Sequence, residues 1–184
     1  TKVYSGVSNL VGNPPLEQAM QAEFDKLGPV PFEKGDEAFA EEIRKTLTTE
    51  DIAASFQRAG RQTPPELPLC DFVAPLDRPS HGGEGSTDVG DVSWVVPTAG
   101  VRTATWVPGT AAHSWQAVAA GGTSIGLKGT ELAAKTISAT AIEIFNNPYL
   151  INDAKKELQE KVGEDFQYKA LLGDRKPPLN YRVN

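Results

Sequence analysis

Two histidines and one cysteine are the residues of this 184-residue chain best suited to bind a metal ion or to act as a nucleophile. His113 stands in "GTAAHSWQAV", a segment otherwise made of small, apolar and neutral residues. A neutral imidazole there is a good donor to zinc or manganese. A lone histidine is also commonly a packed or capping residue, and residue type alone leaves both roles open. His81, in "RPSHGGEG", reads as an exposed loop residue. Cys70, in the apolar stretch "LPLCDFVAP", reads as a buried structural thiol rather than a nucleophile and has no second cysteine to pair with.

Three glycine-rich stretches, "HGGEGSTDVG", "AAGGTSIG" and "GLKGTE", suggest nucleotide chemistry, yet none is a GxxxxGK[ST] loop or a GxGxxG turn between a strand and a helix. What such glycines permit is close approach of backbone to a ligand. The amides around Ser86 and Thr87 are therefore candidates for holding a carboxylate, with a plain connecting loop as the alternative. The acidic run "EKGDEAFAEE" looks like a set of paired carboxylates. Glu37, Glu41 and Glu42 fall beside or opposite an apolar stripe, so the run reads as a solvated helix face.

The elements that must carry these residues follow from pattern. Lys2 to Val7 alternates as a short strand does. Asn13 followed by Pro14 opens a helix with Leu16, Met20, Phe24 and Leu27 on one face, stopped by Gly28 and Pro29. A second helix is predicted from about Asp36, with Phe39, Ile43 and Leu47 inward, and a third from Thr49 through Phe56 to Gly60. "RQTPPELP" is a stiff connector. Strands are predicted near 69–73, 92–97 and 101–107, the last two separated by a turn at Ala99 and Gly100. A helix capped by Thr130 should run over 131–146, apolar on most faces and therefore buried against a sheet, and Asn147 with Pro148 should open another over 148–162, stopped by Gly163.

Composition sets the class. With 39% hydrophobic and 23% charged residues the chain is that of a globular protein with one core. A net charge of −6, with its 18 Lys and Arg scattered, argues against a nucleic-acid or anionic-membrane surface. No apolar run has the length of a membrane helix and the first residues lack a signal pattern. The single cysteine points to a reducing, cytoplasmic compartment. The absence of an initial Met suggests a processed or truncated product.

"GSTDVGDVSWVVPT" at 85–98, together with "GTAAHSWQAVAAGGTSIGLKGTELAAKT" at 109–136, resembles the carboxyl-terminal part of the dinuclear metal amidohydrolases of the aminoacylase and carboxypeptidase type. The likeness is strongest to the aminobenzoyl-glutamate utilization protein B-like branch and most specific over about 85–145. "VYSGVSNLVGNPPLEQAM" is similar to the exit from that family's inserted dimerisation domain.

The resemblance implies an α/β fold, a three-layer sheet-and-helix catalytic domain left incomplete because the amino-terminal part and the lid domain are missing. Residues 1–12 would be the exit strand from the lid, 13–172 the carboxyl-terminal part of the catalytic domain and 173–184 a surface tail. It implies that His113 is the last ligand of a dinuclear zinc or manganese site. Gly85, Ser86 and Thr87 would contact the substrate, with Asp88 fixing their loop. The family's amino-terminal HxD or CxH pair, bridging acid and Glu-Glu pair have no counterpart here, so no catalytic residue is assigned and the chain alone is expected to be inactive. The implied activity is hydrolysis of an amide between an aromatic or acyl group and an amino acid, on a small-molecule substrate. The alternative is a non-catalytic fragment or subunit completing a site supplied by another chain. Either way the expected partner is the missing amino-terminal half, another chain or a second copy, with no nucleic acid and no membrane.

Overall fold

The computed structural model describes residues 3–62, 68–77, 87–177, 179 and 182. Among them are seven helices: α1 (Pro14–Leu27), α2 (Lys34–Arg44), α3 (Thr49–Arg58), α4 (Val89–Ser93), α5 (Trp115–Gly121), α6 (Ser124–Asn146) and α7 (Pro148–Val162). Helix α6 is the hub, packing on α1, α5 and α7, and α1 also packs on α7. A compact core joins Ala40 and Ile43 of α2 to Leu69, Val107 and Ile125, with Phe32, Phe39, Leu47 and Ala119 around it.

The α/β expectation is overturned. No strand occurs among the described residues, so there is no sheet and no three-layer sheet-and-helix arrangement. Residues 92–97 instead complete α4 and the turns after it, the Val95 and Val96 amides both donating to the Val92 carbonyl at 3.0 Å. Residues 101–105 are irregular, and their bonding goes to a helix: the Thr103 hydroxyl donates to the Gly129 carbonyl of α6 at 2.8 Å. Residues 3–7 and 69–73 likewise form no ladder. The physical reason is that a strand exists only through its partner's hydrogen bonds. Alternating apolar residues mark a half-buried segment, and here α6 supplies the burial that a neighbouring strand was expected to supply.

Helix boundaries follow the capping chemistry where caps are unambiguous. Asn13 is buried, its side chain accepting from the Leu16 amide and donating to the Ala154 carbonyl at 2.9 Å, so one residue both caps α1 and ties it to α7. Pro148 and Gly163, the latter with φ 92°, bound α7 as expected. Helix α6 departs from expectation by starting at Ser124, capped by Thr123, rather than after Thr130. Gly126 and Gly129, which read as loop residues, are helical glycines required by close packing. A Cβ at Gly126 would strike the Gly121 backbone, and one at Gly129 would strike the Ala104 carbonyl. Thr130 caps nothing; its hydroxyl donates back to the Gly126 carbonyl at 2.8 Å.

Candidate functional site

His113 sits in the turn that feeds α5. The Ser114 hydroxyl donates to the Ala111 carbonyl at 2.7 Å and accepts from the Ala117 amide at 3.2 Å, which closes the turn and caps the helix around it. Between those two bonds His113 takes a left-handed backbone, φ 60°, the only non-glycine to do so among the described residues. For a residue with a Cβ this conformation costs on the order of 1 kcal/mol. Histidine is one of the few types that adopts it at all. The consequence is an exposed imidazole, fixed at its root by two capping bonds and free of neighbours that would bury it.

Thr87 stands at the start of a different helix, its hydroxyl accepting from the Val89 amide at 3.3 Å. Gly85, Ser86 and His81 lie outside the described residues. Asp88 precedes α4 without a side-chain capping bond, and most of the loop it is expected to fix lies outside the described residues. Helix α4 itself is anchored by Asp91. It accepts from the Ser8 hydroxyl and the Tyr168 hydroxyl, both at 2.8 Å, and from the Ser8 amide at 3.3 Å. Ser93 adds a bond from the Val11 amide at 2.8 Å, and the Trp94 indole donates to the Asn9 carbonyl at 2.8 Å while its ring lies 5.3 Å from that of Phe166. Helix α4, five residues long and unable to stand alone, is thus held between the two ends of the chain.

The hydroxyls of Ser8 and then Tyr168 hold the Asp91 carboxyl below its ordinary value, and the Tyr168 phenol is correspondingly raised by Asp91. A depressed carboxyl contributes to stability above its unfolded value, and that contribution is lost as pH falls through the folded one. Asp91→Ala is therefore expected to speed hydrogen exchange at amides 89–93 at pH 7, the difference from the parent narrowing in acid. Equal exchange in both proteins at pH 7 would remove Asp91 from this role.

A second polar cluster escaped the sequence reading. Asp36, predicted only as a helix start, is 3% exposed and accepts from the Lys128 ammonium at 2.7 Å, the Glu33 amide at 2.8 Å and the Ser124 hydroxyl. Glu41 and Glu42 are exposed and Glu37 half-buried, as expected of a solvated face. The available signal was Ser124 and Lys128, four residues apart and so on one face of a helix, had α6 been started early enough to contain both.

Metal ligation needs several donors around one point. No group of three or more His, Cys, Asp or Glu side chains among the described residues is placed to hold an ion. His113 is one donor, and the described residues do not by themselves fit a dinuclear centre.

In an alignment of 163 positions that covers 83% of its length, the chain is 36% identical to one of the subunits of the p-aminobenzoyl-glutamate hydrolase of Escherichia coli (strain K12). It is similar to that hydrolase subunit. The resemblance read from residues 85–145 is thereby borne out, and it extends over most of the chain. The chain spans about a third, 34%, of the relative's length. No family model matches it, and no solved structure matches it. Among the described residues no helix is long and apolar enough to cross a membrane.

Proposed function

We propose that the chain is one part of a metal-dependent amidohydrolase that cleaves the amide between an aromatic or acyl group and an amino acid, with p-aminobenzoyl-glutamate as the reference substrate. The similarity to the hydrolase subunit over 83% of the chain is the observation that carries this reading. In it His113 contributes one ligand to a zinc or manganese site whose other ligands lie outside the described residues, and the exposed, backbone-fixed imidazole supports that role. Thr87, with Gly85 and Ser86, would contact the substrate's carboxylate or backbone. Backbone amides bind such a group without adding charge. A second reading, a non-catalytic subunit that only completes a site on another chain, is favoured by the absence, among the described residues, of any group of three or more metal donors.

The test is release of p-aminobenzoate from p-aminobenzoyl-glutamate. The chain would be assayed alone and co-expressed with the segment of the E. coli relative that it does not match, each with added zinc or manganese. Turnover is expected only in the assembled protein, and a chelator should stop it. Turnover by the chain alone contradicts the need for other ligands, and an assembled protein without turnover leaves the non-catalytic reading.

A further inference from the structure

Helix α6 is apolar on two opposite sides, and only one of them is covered. Ile125, Gly129, Leu132, Thr136 and Thr140 are buried and define its inner line, against α1, α5 and α7. At 100° per residue the opposite line runs through Leu127, Ala134, Ser138, Ala141, Ile142 and Phe145. On that side Phe145 is 86% exposed, Leu127 69% and Ile142 61%, with Ile137 at its margin 53% exposed. The only ion pair along it, Glu131 with Lys135 at 2.7 Å, neutralises itself. An apolar stripe on a helix packs against a neighbouring layer, and a helix with two opposite stripes has room for two. Here one layer is in place.

We infer that the outer face of α6 is the docking surface for the polypeptide corresponding to the two thirds of the relative's length that this chain does not span. The inference rests on the proposed function for the identity of that partner. Three observations select it. The four large side chains leave on the order of 500 Å² of apolar area uncovered, the scale of a functional patch and most of the about 800 Å² that one side of a stable interface contributes. Leu127 and Phe145 stand about 27 Å apart on the helix, with Ala134, Ser138 and Ala141 low between them. That profile admits an extended apolar layer along the helix axis rather than a single inserted side chain. The 34% coverage of the relative supplies a partner large enough to provide such a layer. A lipid surface fits less well, because the net charge of −6 opposes anionic membranes and no described helix is apolar enough to span one.

Co-expression of the whole chain with the unmatched segment of the E. coli relative, followed by size-exclusion chromatography with light scattering, tests the surface directly. A one-to-one complex is expected, with Ile142→Glu plus Phe145→Glu weakening it at least tenfold. Both positions are exposed, so the double variant alone should keep the parent's helicity and melting temperature. No complex, or one that survives the double variant, overturns the inference. So does self-association of the chain that the double variant abolishes, since the occupant would then be a second copy. A complex without hydrolysis fails the proposed function and leaves the docking surface standing.

Discussion

Asp36→Ala is expected to destabilise the chain by on the order of 3 kcal/mol, because it breaks a nearly dry ion pair and leaves its partners behind. The carboxylate joins the first turn of α2 to the first turns of α6, and 97% of its residue surface is covered, as its 3% exposure states. Without it the Glu33 amide and the Ser124 hydroxyl lose their acceptor, and Lys128, its side chain 21% exposed, keeps only Glu33 at 3.4 Å. Burial opposes charge on Asp36, yet the bonds from Lys128, Ser124 and the Glu33 backbone outweigh it and hold the carboxyl below its ordinary value. The sign of the pH dependence follows. The contribution is complete above the unfolded value of about 3.9 and disappears as pH falls through the lower folded value. Denaturant titrations of parent and variant should show a gap that is constant from pH 5 to 7 and closes in acid. A gap of under about 1 kcal/mol at pH 7, or one unchanged when the carboxylate is protonated, would show that the pair contributes no more than a surface bridge.

How far the fold was legible depended on whether the signal was local. Caps are local: Asn13–Pro14 and Pro148–Gly163 located α1 and α7 because the bonds they make are to residues three or four away. Strands are not local. "VRTATWVPG" has the composition of a strand, but what it becomes depends on what lies beside it, and α6 lies there. Gly126 and Gly129 misled for the same reason. Their low helix propensity is a property of the residue, whereas their place inside α6 is set by the Gly121 and Ala104 backbones that approach them. The site divides in the same way. His113 was visible as a rare residue type in a bland segment, and its left-handed backbone was not, since that comes from Ser114 bonding to both Ala111 and Ala117. Asp36 reads from sequence only as a helix start and Asp91 carries no local signal, because the residues that donate to them lie 88 and 83 positions away.

The left-handed backbone gives His113 a test that separates a ligand from a residue of the fold. His113→Gly should leave the chain as stable as the parent or more so by up to about 1 kcal/mol, because glycine adopts φ 60° without the Cβ penalty and gives part of that gain back as unfolded-chain entropy. His113→Ala keeps the penalty and should melt close to the parent, since an exposed imidazole loses no buried hydrogen bond when removed. Both variants lack the nitrogen donor. In the assembled protein of the proposed function, each should therefore lose one metal equivalent and at least a hundredfold in p-aminobenzoyl-glutamate hydrolysis, with His113→Cys recovering part of the metal content because a thiolate also binds zinc. A residue kept only for packing would behave in the opposite way: alanine would cost on the order of 1 to 3 kcal/mol, metal content would hold, and activity would fall only as far as the protein unfolds. Melting temperature and metal content, measured on the same two variants, move in different directions under the two roles, so a variant that melts lower with full metal content removes His113 from the metal site.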